Sequence, residues 1–312
     1  MLRVHMVREP EARFQEALVE GLKGKASVSF GSPVPEKTEI LVEGQLQEAQ
    51  MVASLRHVVI PFAGVQPKTK EILAARPQIK VHNLHHNAAM TAEMAMALLL
   101  ACARRIVSLH NEFAKDEWEP RYFCRDAVSL SGKTVVILGF GEIGRRVGRV
   151  CEGLGMRVVG IRSQPDGQCL GIADLHSVLP IADVLMVTLP LTDATQGLIG
   201  REEIALLPSH AIVVNVGRGK VIDEQALFEA LRDERIDSAG LDVWWLYPKS
   251  PGDKTPPSNY PFASLPNVVM TPHVGGATRD AEPARMAELL RVLTAICDGD
   301  LDCNLVDLSR GY

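Results

Sequence analysis

Three glycines spaced for nucleotide chemistry stand near the middle of the chain, in Gly139-Phe140-Gly141-Glu142-Ile143-Gly144. This spacing binds the pyrophosphate of a dinucleotide when it joins a strand to a helix, and each glycine has its own reason. Gly139 permits a tight turn, Gly141 lets the backbone approach the pyrophosphate, and Gly144 lets the helix lie close to the strand. The triplet alone is a weak signal, because glycine-rich turns also occur in other α/β folds.

The elements around the glycines make the signal specific. The run Thr134–Leu138 is apolar enough for a buried parallel strand, and the glycines follow it at once. A helix comes next, and Arg157–Ile161 forms a second strand, which completes a βαβ unit. The spacing of the apolar residues predicts that one face of this helix is buried, namely Ile143, Val147, Val150 and Leu154. The helix N-terminus then offers free N–H groups to an anion.

The end of the second strand predicts which dinucleotide binds. NAD sites place an acid there for the ribose 2′-hydroxyl. Here Arg162 and Ser163 end the strand, and the next acid is Asp166, beyond Pro165. A guanidinium pairs with a 2′-phosphate, and a serine hydroxyl donates to it. The sequence therefore favours NADP as the cofactor, with NAD as the alternative if Arg162 is only a solvated surface residue.

Strand and helix patterns alternate along the chain and predict an α/β fold with parallel sheets covered by helices on both faces. Beyond the βαβ unit, strands are predicted in nine short β-branched runs: Leu2–Met6, Ser27–Phe30, Glu39–Val42, His57–Ile60, Ile79–His82, Val184–Thr188, Ala211–Val216, Ser238–Val243 and Val268–Thr271. The length of 312 residues suits two domains. The helical stretch Ala88–His110 divides the strands into two groups and plausibly links two sheets.

Three further segments bear on assembly. The apolar surplus of Ala88–His110 suits either a subunit interface or an ordinary buried helix. The segment Asp116–Leu130 has no clear period and is interpreted as an extended arm that lies on another surface. The helix Ala281–Cys297 is expected to pack against the N-terminal domain.

Composition excludes several classes of protein. The formal charge of −5, with acids and bases mixed along the chain, disfavours nucleic acid as a partner. The N-terminus has no apolar leader, and the run Met94–Ala103 is shorter than the roughly 20 residues that span a bilayer. The six scattered cysteines form no C-x-x-C pair, so neither a metal site nor a disulfide framework is expected. We therefore expect a cytoplasmic protein that avoids membranes.

Four blocks give the chain a specific resemblance to the D-isomer-specific 2-hydroxyacid dehydrogenases. They are Leu130–Gly144, Ala182–Thr192 with Thr195 and Gly197, Val214–Asp223 followed by Ala239–Val243, and Asn267–Thr278. The N-terminal third resembles the family only in outline. The resemblance implies two doubly wound parallel-sheet domains: a flavodoxin-like substrate domain of residues 1–97 and 284–312, and an inserted Rossmann domain of residues 98–283. It also implies an active site in the cleft and a homodimer formed through the long helix and the arm.

The resemblance implies catalytic roles for two residues in the last two blocks. Arg218 matches the arginine that holds the substrate carboxylate and polarises the reacting carbonyl, a task that suits its bidentate guanidinium. His273 matches the histidine that exchanges a proton with the substrate oxygen. Asp242 matches an aspartate near the nicotinamide carboxamide, and Thr91 a position beside the nicotinamide ring. The remaining cofactor contacts implied are Glu142, Ile143, Leu189, Pro190, Thr195, Val216 and Gly275.

Substrate contacts are implied in the N-terminal third. Ala63 and Gly64 resemble the loop whose amides bind the substrate carboxylate, although the usual downstream aspartate is absent. Asn87 aligns with an asparagine that formate dehydrogenases of this superfamily use for substrate. His85 and His86 either bind an anionic substrate group or are solvated loop residues, and two adjacent histidines are too few for a metal site.

One position departs from the family pattern. The family pairs its histidine with a glutamate five residues after the Asp242 equivalent, where this chain has Tyr247 before Pro248. A carboxylate raises the pKa of an imidazole by stabilising its charged form, which a neutral phenol does not do. Tyr247 is therefore expected to orient His273, unless Asp253 or Glu282 supplies the missing charge.

The sequence as a whole predicts an NADP-linked reductase of small 2-keto acids such as glyoxylate or hydroxypyruvate, working with the corresponding 2-hydroxy acids in reverse. A formate- or phosphite-type dehydrogenase is an alternative suggested by Asn87 and the missing glutamate. A cofactor-sensing protein with low turnover is a third, from a different class.

Overall fold

A computed structural model describes residues 1–124, 126–165 and 167–308. It divides the chain into two compact units. Unit 1 comprises Met1–Asn87 together with the residues from Arg279 onward, and unit 2 comprises Ala88–Thr278. The predicted domains ended after residues 97 and 283, whereas the units end after residues 87 and 278. The difference arises because the whole helix Ala88–Ala103 packs in the core of unit 2.

Both units alternate strands and helices. The strands are β1 (Leu2–Met6), β2 (Ala26–Phe30), β3 (Ile40–Val42), β4 (His57–Ile60), β5 (Lys80–Asn83), β6 (Thr134–Leu138), β7 (Arg157–Arg162), β8 (Leu170–Gly171), β9 (Val184–Val187), β10 (Ile212–Asn215), β11 (Ser238–Leu241) and β12 (Val268–Met270). The helices are α1 (Ala12–Gly21), α2 (Pro67–Ala74), α3 (Ala88–Ala103), α4 (Ile106–Phe113), α5 (Pro120–Phe123), α6 (Glu142–Gly153), α7 (Leu175–Val178), α8 (Arg201–Leu206), α9 (Glu224–Arg232) and α10 (Ala281–Cys297). Short 3-10 turns lie at Glu48–Gln50, Ile172–Asp174, Leu179–Ile181, Gly219–Val221 and Phe262–Ser264.

Unit 1 has a five-stranded parallel sheet in the order β2-β1-β3-β4-β5. Its core includes Leu18 of α1, Val4 and Ile40 of the sheet, and Leu289 and Val292 of α10. The C-terminal helix therefore packs against the N-terminal strands, which confirms that prediction. Burial of these aliphatic side chains stabilises the unit by roughly 1.5–3 kcal/mol each before entropy is counted.

Unit 2 has a seven-stranded parallel sheet in the order β12-β11-β10-β9-β6-β7-β8. The central strands β6, β9 and β10 are buried along their whole length, as expected for strands covered on both faces. The prediction of two parallel-sheet α/β units is confirmed. Because all strands run the same way, the loops that follow β6, β9, β10, β11 and β12 emerge at one edge of the sheet.

The structure corrects three local predictions. The buried residues of α6 are Gly144, Val147, Gly148 and Cys151, whereas Val150 is 47% exposed and Leu154 37% exposed. The predicted face was right for Val147 and wrong for Val150 and Leu154, because the side of the helix with Gly144 and Gly148 is the one that packs closely. The helix predicted over Ala88–His110 is broken at Arg105, whose φ of 54° is left-handed. The segment predicted as an extended arm contains the short helix α5, and β8 was not predicted.

In the described part of the chain, every helix is too short or too polar to cross a bilayer.

Candidate functional site

The glycine-rich loop leaves β6 and enters α6 within three residues. Gly139 has a φ of 102°, in the region that glycine adopts without strain. The amides of Gly139 and Phe140 both donate to the carbonyl of Ile161, at 3.0 and 2.9 Å. The Thr188 hydroxyl donates to the carbonyl of Gly139 at 2.6 Å. These bonds tie the turn to the ends of β7 and β9.

Gly141 and Gly144 are required for different reasons. A Cβ on Gly144 would lie 2.5 Å from the carbonyl oxygen of Gly139, so the approach of α6 to the loop excludes any side chain there. A Cβ on Gly141 would meet no heavy atom within 4 Å, so protein packing does not demand glycine. The open space at Gly141, together with a helix N-terminus that has no side-chain cap, fits an anion bound to the backbone. The loop therefore fits a dinucleotide pyrophosphate.

Two further predicted contacts lie in the first turn of α6. Glu142 pairs with Arg146 one turn along the helix, at 2.5 Å. Ile143 is half-buried. Thr91, in the first turn of α3, is 7% exposed. Contact of these three residues with a cofactor stays a prediction.

The predicted cofactor-selecting residues end the strand next to the glycine loop. Arg162 is the last residue of β7, Ser163 follows it, and β7 pairs with β6. Both residues therefore stand at the sheet edge from which the loop emerges. Each interacts with other residues of the chain. Asp166, the next acid, lies outside the described residues, so the choice between the two cofactors stays a prediction.

The loop after β9 is held by its own threonine. The Thr195 hydroxyl accepts from the amide of Thr192 at 2.8 Å and donates to the carbonyl of Pro190 at 2.7 Å. Leu189 and Val216, at the ends of neighbouring strands, are 6% and 4% exposed. The buried hydroxyl thus shapes the loop, and direct contact of Leu189, Pro190, Thr195 or Val216 with a cofactor stays a prediction.

Arg218 lies in the turn after β10, and its backbone is fixed from both sides. A Cβ on Gly217 would lie 2.5 Å from the carbonyl oxygen of Leu189, and one on Gly219 would lie 2.2 Å from that of Trp244. Larger residues at either position would force the turn away from its neighbours. The side chain of Asn215 closes the turn, because it accepts from the Gly217 amide at 3.0 Å and donates to the Arg218 carbonyl at 3.1 Å. The guanidinium itself is exposed.

Asp242, which follows β11, is 1% exposed. Its carboxylate accepts from the Thr271 hydroxyl at 2.6 Å, from the Val274 amide at 2.9 Å and from the Gly275 amide at 2.8 Å. The sequence predicts a cofactor contact for Asp242 and Gly275, and that contact stays a prediction. The structure assigns the carboxylate a positioning task, since it holds the loop on both sides of His273.

His273 stands in this loop with a left-handed φ of 58°, a strained conformation for a residue other than glycine. The residue is partly exposed at the surface of the chain. Partial burial is the largest influence on the ring and lowers the pKa of His273 below its ordinary value; the positive charge of Arg218 lowers it further. Asp242 raises the pKa, but by less. The histidine is therefore mainly neutral at pH 7.

Tyr247 lies beside the histidine, with 5.4 Å between the ring centroids and an angle of 54° between the ring planes. Its hydroxyl accepts from the amide of Trp244 at 3.0 Å. Within the described residues no hydrogen bond joins Tyr247 to His273, so the two rings meet by packing. Burial raises the pKa of Tyr247, which keeps the phenol neutral. Position 247 therefore adds no negative charge next to the imidazole.

The two acids weighed as substitutes are engaged elsewhere. The carboxylate of Asp253 accepts from the amides of Lys249 and Thr255, at 3.1 Å each. Glu282 belongs to unit 1 and pairs with Arg285. Each of these acids has a structural partner of its own.

The predicted substrate contacts of the N-terminal third lie in unit 1. Ala63 and Gly64 follow β4 and are half-buried, and the Asn83 side chain donates to the Ala63 carbonyl at 2.8 Å. The amide of His85 donates to Glu288 of α10 at 2.8 Å. Burial lowers the pKa of His86. Asn87, Ala63 and Gly64 keep their predicted roles in substrate binding as predictions.

Three residues that shape the site were not singled out from the sequence. Thr188 holds the glycine turn, Asn215 holds the arginine turn, and Trp244 holds both Tyr247 and, through its indole N–H, the carbonyl of Thr271 at 2.9 Å. Asn215 ends β10, Thr188 directly follows β9, and Trp244 lies three residues after the end of β11. Their position at the carboxyl edge of the predicted sheet was the available signal.

The parallel sheet of unit 2, with the glycine loop at its carboxyl edge, defines a class of protein, namely α/β proteins that bind a dinucleotide at the carboxyl ends of a parallel sheet. The family model described as "D-isomer specific 2-hydroxyacid dehydrogenase, NAD binding domain" matches residues 96–275. A glycerate dehydrogenase of Methylorubrum extorquens is 31% identical over 284 residues, which cover 89% of this chain and 84% of that protein. The chain belongs to the D-isomer-specific 2-hydroxyacid dehydrogenase family.

Other relatives differ in length or in sequence. A D-3-phosphoglycerate dehydrogenase of Methanocaldococcus jannaschii is 33% identical over 258 residues, which cover 80% of this chain and 47% of that protein. The chain thus spans about half the length of this relative. An NADPH-dependent glyoxylate/hydroxypyruvate reductase of Sinorhizobium meliloti, solved with NADP and malonate, has a TM-score of 0.72 and 24% identity, with 100% of this chain and 98% of that chain covered. This last likeness concerns the fold alone.

Proposed function

We propose that the protein transfers a hydride between a nicotinamide dinucleotide and the C2 carbon of a small 2-keto or 2-hydroxy acid, with glyoxylate and hydroxypyruvate as the simplest substrates. The observation that carries the proposal is the grouping of Arg218, Tyr247 and His273 in the loops after the adjacent strands β10, β11 and β12. These loops emerge at the same sheet edge as the glycine loop after β6. Membership in the family supports the same reaction.

The bound nicotinamide would supply or accept the hydride, while residues of the chain bind the substrate and transfer the proton. Arg218 binds the substrate carboxylate and polarises the carbonyl, because its guanidinium is exposed while its backbone is fixed by Gly217 and Gly219. His273 donates a proton to the substrate oxygen during reduction and takes one during oxidation. Since its pKa is lowered, reduction is favoured at mildly acidic pH, where the imidazolium is populated.

Steady-state kinetics with a panel of 2-keto acids test this function. Wild type should reduce glyoxylate or hydroxypyruvate, and His273→Gln and Arg218→Gln should each lose about 100-fold or more in kcat/KM. Exposed Arg13→Gln is the control and should keep full activity. Tight cofactor binding without reduction of any 2-keto acid would favour the cofactor sensor, and turnover of formate or phosphite would favour the formate- or phosphite-type dehydrogenase.

The proposed cofactor is NADP, because Arg162 and Ser163 end β7 and β7 lies beside β6. Wild type should show a higher kcat/KM with NADPH than with NADH. Arg162→Ala should lower kcat/KM for NADPH about tenfold or more and leave NADH nearly unchanged. Arg149→Ala, an equal loss of charge on α6, is the matched control. A strong NADH preference of the wild type would overturn the assignment.

The proposal includes a homodimer. Aromatic and aliphatic side chains are exposed along α4 and the segment after it, including Ile106 (52%), Phe113 (55%), Trp118 (58%), Tyr122 (67%) and Phe123 (70%). So many exposed large apolar residues in one segment are typical of an interaction surface. Light scattering should give twice the monomer mass, and Phe123→Ser with Tyr122→Ser should lower it. An unchanged mass in that variant would contradict this use of the segment.

A cytoplasmic location is also proposed. No disulfide joins cysteines among the described residues, which suits a reducing compartment. Cell fractionation would test it, and recovery of the protein in an oxidising compartment would refute it.

A further inference from the structure

A cleft of about 610 Å³ lies at the carboxyl edge of the unit 1 sheet. It is formed by the loops after β1, β3 and β4 and by the first turns of α10. Its volume is in the range of sites for small molecules, about 300–1,000 Å³. The proposed function assigns no ligand group to it. Two arginines, Arg8 and Arg285, are among its lining residues.

Arg285 is a partly buried cation with an unsatisfied hydrogen-bond donor. Its side chain is 21% exposed, and it pairs with Glu282 one turn earlier on α10. Its Nε is buried and has no hydrogen-bond partner among the described residues. A guanidinium has five N–H donors, and a buried donor without an acceptor costs roughly 1–3 kcal/mol. The side chain is thus set to receive a further acceptor.

Arg8 follows β1 and forms no ion pair or hydrogen bond with any described residue. Three glutamates line the same cleft without pairing with it, namely Glu9, Glu11 and Glu43. Glu11 pairs instead with Arg13, at 2.9 Å. The cationic group therefore remains available although acids stand near it.

Two of the other carboxylates of the cleft, Glu43 and Glu282, have partners among the described residues, whereas Glu9 has none. Glu43 accepts from the amides of Gly44 and Gln45, at 2.7 and 2.8 Å, and Glu282 is paired with Arg285. Counted by formal charge, four glutamates outnumber two arginines in the lining. The groups whose hydrogen-bonding capacity no described residue uses are the Arg8 guanidinium, the Nε of Arg285 and the Glu9 carboxylate, so unpaired donors outnumber unpaired acceptors. A ligand that completes these bonds must bring acceptors, and a carboxylate fits a guanidinium best.

We propose that Arg8 and Arg285 bind a carboxylate in this cleft, and that it is the distal acid group of a dicarboxylic 2-keto acid. The second half of this inference rests on the proposed function. Pro61 and Phe62 line the cleft and directly precede Ala63 and Gly64, the loop that we expect to hold the first carboxylate. The two acid groups of one short substrate would then contact neighbouring parts of unit 1.

The test compares two substrates that differ only in the distal acid, 2-oxoglutarate and 2-oxopentanoate. Wild type should reduce 2-oxoglutarate with at least a tenfold higher kcat/KM. Arg8→Gln should lower that value about 10- to 100-fold, mainly through KM, and leave 2-oxopentanoate within about twofold, since it loses one charge-assisted hydrogen-bonding group. Arg285→Gln should act in the same direction, while exposed Arg232→Gln on α9, which is not among the lining residues, should change neither substrate.

Calorimetric titration with glutarate tests the binding step without turnover. Wild type should bind glutarate, and Arg8→Gln should weaken its Kd about tenfold or more. If no 2-keto acid, glyoxylate included, is reduced, the proposed function fails while the titration still decides whether the cleft binds a carboxylate. Equal binding by wild type and Arg8→Gln overturns the carboxylate site. Glutarate binding without a preference for 2-oxoglutarate over 2-oxopentanoate overturns the substrate assignment. A preference for 5-guanidino-2-oxopentanoate, whose distal group is a cation, overturns it as well.

Discussion

Replacing Tyr247 with glutamate should move the pH dependence of reduction toward alkaline pH. In the proposed reaction, reduction needs the protonated imidazole, so kcat/KM is expected to fall as the pH rises through the pKa of His273. That pKa is now lowered by partial burial and by Arg218. A carboxylate at position 247 would stabilise the imidazolium and raise the pKa. The pH at which kcat/KM falls should therefore move to a higher value.

The size of the shift follows from the geometry. At the 5.4 Å that separates the two ring centroids, an ion pair is worth about 3 kcal/mol at an effective dielectric constant of about 20. That energy corresponds to about 2 pKa units. His273 is exposed, so solvent screening reduces the effect, and we expect a shift of about 1 unit.

The assay is kcat/KM for glyoxylate reduction between pH 5 and 9, under saturating cofactor. Tyr247→Gln is the matched control, because it resembles glutamate in size and removes the ring without adding charge. In Tyr247→Gln, kcat/KM should fall over nearly the same pH range as in the wild type, apart from a general loss of rate. If Tyr247→Glu and Tyr247→Gln give the same profile, position 247 does not act electrostatically on His273, and the reasoning fails.

Three further predictions concern the cofactor loop, the histidine loop and the core of unit 1. Gly144→Ala should weaken dinucleotide binding at least tenfold by fluorescence titration, because its Cβ would lie 2.5 Å from the Gly139 carbonyl oxygen; unchanged affinity would mean that the loop tolerates a side chain there. Asp242→Asn should lower kcat at least tenfold with little change in cofactor Kd, since the amide NH₂ would face a backbone N–H that the carboxylate now accepts; a cofactor Kd that rises as much as kcat falls would contradict a positioning role. Burial and the neighbouring His82 lower the pKa of His57 to about 4, whereas the unfolded value is about 6.5. Between pH 6.5 and 4 the unfolded chain therefore binds more protons than the folded chain. The stability that is present above pH 6.5 should fall by up to about 3 kcal/mol on acidification to pH 4. Urea unfolding should show a smaller loss in His57→Gln, and an equal loss in both proteins would refute the assignment.

The sequence predicted the strands well because buried parallel strands are continuous apolar runs. The run Thr134–Leu138 matches β6 residue for residue, and Leu2–Met6 and His57–Ile60 match β1 and β4. The prediction was partly wrong for α6, where the apolar spacing pointed to Val150 and Leu154, whereas the adjacent side of the helix, with Gly144 and Gly148, packs against the sheet. When glycines let a helix approach a sheet closely, the spacing of apolar residues along the helix does not show which side is buried.

The candidate site was predictable as a set of positions but not as a set of contacts. Family motifs pointed to Asp242 and His273, yet the three hydrogen bonds of the Asp242 carboxylate to the histidine loop are visible only in three dimensions. The same holds for Tyr247, whose hydroxyl is engaged by an amide only three residues earlier. Such hydrogen bonds, whether between loops or within one loop, depend on backbone geometry, which sequence spacing does not specify.

The division of unit 1 between the two ends of the chain has a consequence for synthesis on the ribosome. Unit 2 is continuous, from Ala88 to Thr278, so all of its residues emerge before α10 does. Unit 1 lacks the core residues Leu289, Val292 and Leu293 until α10 has been made. Domains generally fold as units while the chain elongates. The apolar surface of the N-terminal strands therefore stays uncovered until α10 is made, by which time unit 2 has had time to fold. We expect nascent chains stopped before α10 to bind chaperones and to aggregate.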